Sequence, residues 1–190
     1  MKERMVLRKM SNIKIIALCG KSGSGKTTLQ NYLIKTSDNI APIIMYTTRP
    51  PRKGEVDGQD YHFISEQEFF DRKLSFVGHF GSWYYGIDCN ELSTNKYNIG
   101  IFGPRIIEEI VAADNIDTIP IIIYASDRER LIRILKDRGD KDCHEVCRRF
   151  LSDEEVFNKI NFKAWNYSNL YSDIDRIGEH IKQRLQDKND

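Results

Sequence analysis

A chain of 190 residues, 40% apolar and 30% charged, has the balance of a globular domain with one full core and not that of a disordered or fibrous segment. Its 29 Lys+Arg against 28 Asp+Glu leave a formal charge of +1. That provides no global field to hold a polyanion, so nucleic acid is not an expected partner. No apolar run approaches the roughly 20 residues of a membrane span, so no membrane association is expected either. The basic opening stretch MKERMVLRKMSN is interrupted by Arg8 and Lys9 and lacks the apolar core of an export signal. Four cysteines, Cys19, Cys89, Cys143 and Cys147, are too few for a disulfide scaffold at this length, and a cytoplasmic setting is expected.

In chain order, Ile13 to Cys19 reads as a buried strand, Gly20 to Gly25 as a tight turn, and Lys26 to Lys35 as a helix with Leu29 and Leu33 inward. A second strand is expected through Ile43–Tyr46, ending where Pro50 and Pro51 forbid a central position. From Pro50 to about Lys96, glycines punctuate aromatic stretches, which predicts a small, mainly antiparallel insert. Ser65 with Glu68 signals a capped helix over about 66–72. His62 is expected to face outward between Tyr61 and Phe63.

The core pattern resumes with a strand at 98–102 and a helix opened by Pro104 at its first position. A strand over 119–124 follows, then a helix capped by Ser126 and Glu129 with Leu131, Ile132 and Leu135 as its apolar face. Ser152 with Glu155 is expected to cap a third helix, carrying Val156, Phe157 and Ile160 inward. Trp165 is placed on a late helix as a packing residue, and a terminal helix spans 173–186. Alternating strands and helices predict an α/β class, a parallel sheet flanked by helices. The expected core is 13–49 and 97–190, with an insert over 50–96 and a lid over about 137–150.

Gly20-Lys21-Ser22-Gly23-Ser24-Gly25-Lys26-Thr27 satisfies G-x-x-x-x-G-K-[ST], between a strand and a helix. In such a loop, backbone N–H groups curl around a phosphate and the helix dipole adds to them. Gly20, Ser22, Gly23, Ser24, Gly25, Lys26, Thr27 and Thr28 are therefore the expected ATP contacts. Lys26 reaches the outer phosphates, and the Thr27 hydroxyl suits Mg²⁺. No N-K-x-D base-reading motif of a small GTPase is present. A small phosphotransferase needs a second cationic patch, and Arg49 and Arg52, three apart on a proline-stiffened segment, provide one. Tyr61 and Tyr85 could add phenolic donors. Cys143, His144 and Cys147 superficially suggest a metal cluster but lack a fourth ligand.

The stretch from Thr47 through Arg49, Pro50, Pro51, Arg52, Gly54, Glu55 and Asp60 to Phe63 resembles the signature of the guanylate kinase family, and so does Phe80 to Gly86. The resemblance runs from about Lys14 to the end. It implies a P-loop fold with a monophosphate-binding subdomain over 50–90, in which Arg49, Arg52, Tyr61 and Tyr85 grip the acceptor phosphate. It also implies that Arg138 and the Arg148/Arg149 pair act as lid arginines around the transferring group. Lys26, Arg138 and Arg149 would then be catalytic. The departures lie at the base. Positions where the family carries guanine readers hold Met45, Phe76, Gly100 and Phe102 here, with Asp88 and Glu91 the nearest acids that could substitute. The implied activity is ATP-dependent phosphorylation of a nucleoside monophosphate, GMP or another (d)NMP, by a monomer or homodimer. A noncatalytic binding module is the alternative from another class, and the intact P-loop argues against it.

Overall fold

The computed structural model describes residues 13–52, 54–137, 143–169 and 173–188, without the side chains of Asp137, Glu145 and Arg149. Lys53, Arg138 and the N-terminal arm lie outside the described residues. The first strand, β1 (Ile13–Cys19), is buried along nearly its whole length. Ile13, Ile15, Ala17 and Cys19 face one core cluster and Ile16 and Leu18 the other, which is the period-2 signature of a strand covered on both sides. Helix α1 (Lys26–Thr36) follows the glycine loop and buries Leu29 and Leu33.

The chain then differs from the expected single strand at 43–46. It forms β2 (Ile40–Pro42) and, after a break, β3 (Tyr46–Thr47), and the two belong to different sheets. Pro42 ends the first piece, and Ile43 N–H still bonds to Ile99 before the chain leaves. The second sheet is completed by β4 (His62–Phe63), β5 (Ser75–Phe80) and β6 (Trp83–Ile87) in the order β4-β3-β6-β5. Between β4 and β5 lies α2 (Glu66–Asp71), whose capping box is made in both directions by Ser65 and Glu68.

The main sheet resumes with β7 (Tyr97–Ile101), then α3 (Pro104–Val111), β8 (Ile116–Tyr124) and α4 (Asp127–Ile132). A π-helical turn spans 133–137. Helix α5 (Cys143–Phe157), β9 (Trp165–Ser168) and α6 (Ile174–Asp187) finish the chain. Five parallel strands order as β2-β7-β1-β8-β9. Helices α1 and α6 cover the Ile16/Leu18 face, and α3 lies on the other with Ile107 and Ile110 buried. Among the described residues no helix is long and apolar enough to cross a membrane.

Several expectations are corrected here. Ser152 caps nothing; it sits in the middle of α5, because no breaker precedes it and the helix continues from Cys143. On α4 and the turn after it, Leu131, Ile132 and Leu135 are exposed, whereas Arg130 and Ile134 are fully buried. Val156 is exposed; Phe157 and Ile160 do pack on the core. Strand β8 begins at Ile116, three residues earlier than its apolar run, and includes Pro120 opposite Ala17. Trp165 lies on a strand, with the Arg184 guanidinium 3.8 Å from its ring centre. His62 does not face freely outward: it stacks on buried Tyr46, ring centres 4.5 Å apart.

Candidate active site

Parallel strands that all end on one side gather their following loops there, and ligands of such sheets bind at that edge. The loops after β1, β7, β8 and β9 bring together Gly20–Gly25, Phe102, Ala125 and Asn169. A larger cleft of about 590 Å³, between Thr36, Tyr97 and α6, lies at the opposite edge of the sheet. A smaller one of about 260 Å³ opens beside Gly20 and Lys21, against Tyr124 and Asn158. The candidate site is the strand-end edge, where the glycine loop lies.

The loop has the backbone such a cradle needs. Gly23 and Gly25 have φ of +77° and +102°, a region L side chains rarely adopt. A Cβ on Gly23 would lie 2.8 Å from the Arg130 carbonyl oxygen, and one on Gly25 2.5 Å from the Asn169 amide nitrogen. The Lys26 ammonium curls over the loop, donating to the carbonyls of Gly20 (2.7 Å) and Lys21 (3.0 Å). Thr27 and Thr28 are exposed at the start of α1, where the first N–H groups have no partner within the helix. Glycines, a flexible cation and a helix N-terminus fit an oligophosphate, and a threonine hydroxyl beside them fits Mg²⁺. Two expected contacts are differently employed. The Ser24 hydroxyl is buried without a hydrogen-bond partner and its N–H donates to Lys21, while the Ser22 N–H donates to Asp153 at 2.8 Å.

Five residues at this loop escaped the sequence reading. Asn169 donates its side-chain amide to the Ser24 carbonyl at 2.8 Å. Arg133 donates to the Gly23 and Asn169 carbonyls at 3.2 and 2.9 Å. Arg130 and Asp153 hold Ser22, and Lys21 pairs with Glu154 on the same turn of α5. Four of them are charged and read as a solvated face, and Asn169 is a lone polar residue after a strand, so nothing in the sequence pattern marked them. Of the expected lid arginines, Arg138 and the Arg149 side chain lie outside the described residues. The Arg148 guanidinium lies 5.8 Å from the Phe80 ring centre, so α5 meets the tip of the β5–β6 hairpin.

The second cationic patch is assembled on one face of the smaller sheet. Arg49 is 4% exposed, and its two terminal nitrogens donate to the two Glu55 carboxylate oxygens at 2.9 and 2.8 Å. Its guanidinium lies 5.3 Å from the Tyr61 ring centre and 5.6 Å from that of Phe63. Tyr85 hydrogen-bonds to it and stands edge-on to Tyr61 at 5.9 Å. Burial opposes the charge on Arg49, but Glu55 and Tyr85 together outweigh it and lift the pKa above the usual arginine value. The Arg49 hydrogen bonds hold the Glu55 carboxyl below its ordinary range. Arg52 is exposed, its N–H anchored to Glu55 at 2.7 Å, so both arginines are positioned by one carboxylate.

Met45, Phe76 and Phe102 all pack on one apolar cluster with Ile43, Ile87 and Ile107. Phe102 closes over Gly100: a Cβ there would meet the Phe102 ring at 2.4 Å. Gly100 and Phe102 are therefore one packing unit. Phe76 has φ of +52° at a β-bulge between Ser75 and Gly78, a strained arrangement that re-aims its ring. Both nearby acids accept hydrogen bonds from within the protein. Glu91 accepts from the Tyr46 hydroxyl at 2.5 Å, and Asp88 accepts from Asn90 at 2.9 Å. Tyr46 and Thr47 alternate across β3, so Glu91 is bound on the face away from Thr47 and its cross-strand neighbour Tyr85. Burial and Glu91 push the Tyr46 phenol to about 12. Among the described residues, no group of histidine, cysteine or acidic side chains could hold a metal by itself.

A parallel sheet with a glycine loop leading from its central strand into a helix defines a P-loop protein. The guanylate kinase family model matches residues 12–188. The guanylate kinase of Caldanaerobacter subterraneus subsp. tengcongensis is 31% identical over 181 residues, covering 88% of this chain and 84% of that protein. That of Chlamydia felis is 33% identical over 179 residues, covering 89% and 85%. The crystal structure of guanylate kinase from Anaplasma phagocytophilum shares the fold, with TM-score 0.65 and 18% identity, covering 94% of this chain and 87% of that one. The chain belongs to the guanylate kinase family. At family level this is a phosphotransferase scaffold of the nucleoside monophosphate kinase type.

Proposed function

We propose that the chain is an ATP-dependent nucleoside monophosphate kinase, with GMP or dGMP as the first acceptor to test. The observation that carries this reading is the buried Arg49, fixed by Glu55 and flanked by Tyr61 and Tyr85, in a chain that also has an intact phosphate loop. We read the insert as the acceptor-binding subdomain and the segment around 137–150 as a lid.

Bound MgATP would supply the phosphoryl group and a divalent charge. Gly20, Gly23 and Gly25 would give the loop its curl around the phosphates, Ser22 and Ser24 would hold its shape through their bonds to Asp153 and Lys21, Lys26 and Thr28 would face the phosphates, and the Thr27 hydroxyl would hold the Mg²⁺. Arg49 and Arg52 orient the acceptor phosphate, with Tyr61 and Tyr85 as phenolic donors. That phosphate is already ionised, so no general base is needed and no covalent intermediate is formed. Lys26, Arg138 and Arg149 neutralise charge on the group in flight, and closure excludes water that would otherwise take it.

A second acceptor reading is favoured by one observation, the Phe102 ring over Gly100. An apolar wall formed with Met45 and Phe76 cannot accept from the guanine N–H edge as a carboxylate does, so another purine or pyrimidine monophosphate is admitted. ADP formation followed with MgATP and each common monophosphate tests the kinase reading. ADP release that depends on a monophosphate supports it, and none with any of them overturns it.

A further inference from the structure

Arg130 is fully buried, the largest such side chain among the described residues. A guanidinium removed from water needs its donors matched, and this one has them. Its Nε donates to the Ser22 carbonyl at 2.8 Å, and its terminal nitrogens to Asp153 and Asp127, both at 2.5 Å. The group lies 4.1 Å from the Phe150 ring centre. Asp127 is 65% exposed and Asp153 only 14%, so Asp153 is the counter-charge that burial makes strong. Asp153 in turn accepts from the Ser22 N–H at 2.8 Å. The N–H and C=O of one loop residue are thus held by the two ends of a single buried ion pair.

We propose that Arg130 and Asp153 form a positioning pair that sets the Ser22–Gly23 peptide for the phosphoryl donor before it arrives, an inference that rests on reading the glycine loop as the donor site. A trans peptide is planar, so the Ser22 C=O and the Gly23 N–H point in opposite directions. With the carbonyl tied to Arg130, the Gly23 N–H is turned away from α4. The backbone of Arg130 packs against Gly23 from the same side, as the 2.8 Å approach to its missing Cβ shows. A glycine loop left alone loses much conformational entropy when it orders around a ligand, and fixing one peptide in advance reduces that cost.

The test uses the full chain with Arg130 and Asp153 replaced together, R130L/D153A, so that neither charge is left buried alone. Two readouts are taken: hydrogen exchange at the Ser22 amide of the ligand-free protein, and MgATP affinity by calorimetry with donor and acceptor KM. We expect Ser22 exchange and MgATP Kd each to rise at least ~10-fold, the loss of one charge-assisted hydrogen bond, with donor KM following and acceptor KM within ~2-fold. A folded double variant that binds MgATP within ~2-fold of wild type, or raises both KM values equally, overturns the inference. Should the double variant not fold, Arg130→Lys keeps a charge facing Asp153 but loses the fork, and the same donor-side weakening is expected. A wild-type chain that binds MgATP yet turns over no monophosphate would remove the kinase reading and leave this inference standing, since exchange and donor binding precede chemistry.

Discussion

Lys26 and Arg49 are held in opposite ways, and their variants should differ accordingly. Lys26 donates to the loop's own carbonyls and contributes nothing to the core, so Lys26→Met should leave the fold intact. Its kcat should fall by at least ~10²-fold, as expected when a charge aimed at the migrating group is lost. Near-normal turnover would contradict this arrangement. Arg49 is buried on Glu55, and Arg49→Ala should raise KM by a similar factor for every monophosphate, roughly 10–100-fold for a lost charged hydrogen bond. A change confined to one base would contradict a phosphate role. The thiols give a cheap check on the same scale. Burial pushes Cys19 to about 12 and raises Cys89, whereas Cys143 and Cys147 are exposed. A disulfide reagent at about pH 8 should therefore titrate two thiols quickly in the native protein and the other two only on unfolding. At this scale the phosphate loop and the Arg49 segment were readable because each is a contiguous run with a defined spacing. Arg130, Arg133, Asp153 and Asn169 were not, because they meet the loop only after the chain folds, from positions about 110–150 residues downstream.

Two Ser-x-x-Glu motifs show what an element requires beyond its signature. Ser65 opens α2 with both reciprocal bonds made, whereas Ser152 lies inside α5. Ser65→Ala should cost about 1 kcal/mol in chemical denaturation, while Ser152→Ala should be neutral or slightly stabilising, by up to ~0.5 kcal/mol. Equal losses would mean that the helix breaks near 152 after all. A third such pair, Ser126 and Glu129, caps α4 through the Ser126 hydroxyl alone, with Glu129 set 3.9 Å from Arg128. Buried strands β1 and β7 were legible from their unbroken apolar runs. The break between β2 and β3 was not, because Ile43, Ile44 and Met45 continue the apolar run while the backbone changes sheets. The apolar face of α4 misled for a related reason: a guanidinium, not a leucine, fills the position facing the glycine loop.

Across the whole molecule, the proposed function pairs a phosphate grip at Arg49 with an apolar wall of Met45, Phe76 and Phe102 at the base. Phe102 occupies the space that any side chain at 100 would need, and Glu91 and Asp88 accept from Tyr46 and Asn90. Apolar contacts discriminate by only about 10–200-fold each, against 10⁴–10⁵ for a site built on hydrogen bonds. Met45, Phe76 and Phe102 should therefore change the ratio between bases, and Arg49 should not. The most direct measurement is kcat/KM with MgATP for GMP, dGMP, AMP, dTMP and CMP on the wild-type chain. We expect turnover with at least one of them and a GMP preference below ~10³-fold. A preference above ~10³ would show that guanine is still read by a buried hydrogen-bonding group and would contradict the apolar wall, and silence with all five would contradict the kinase itself.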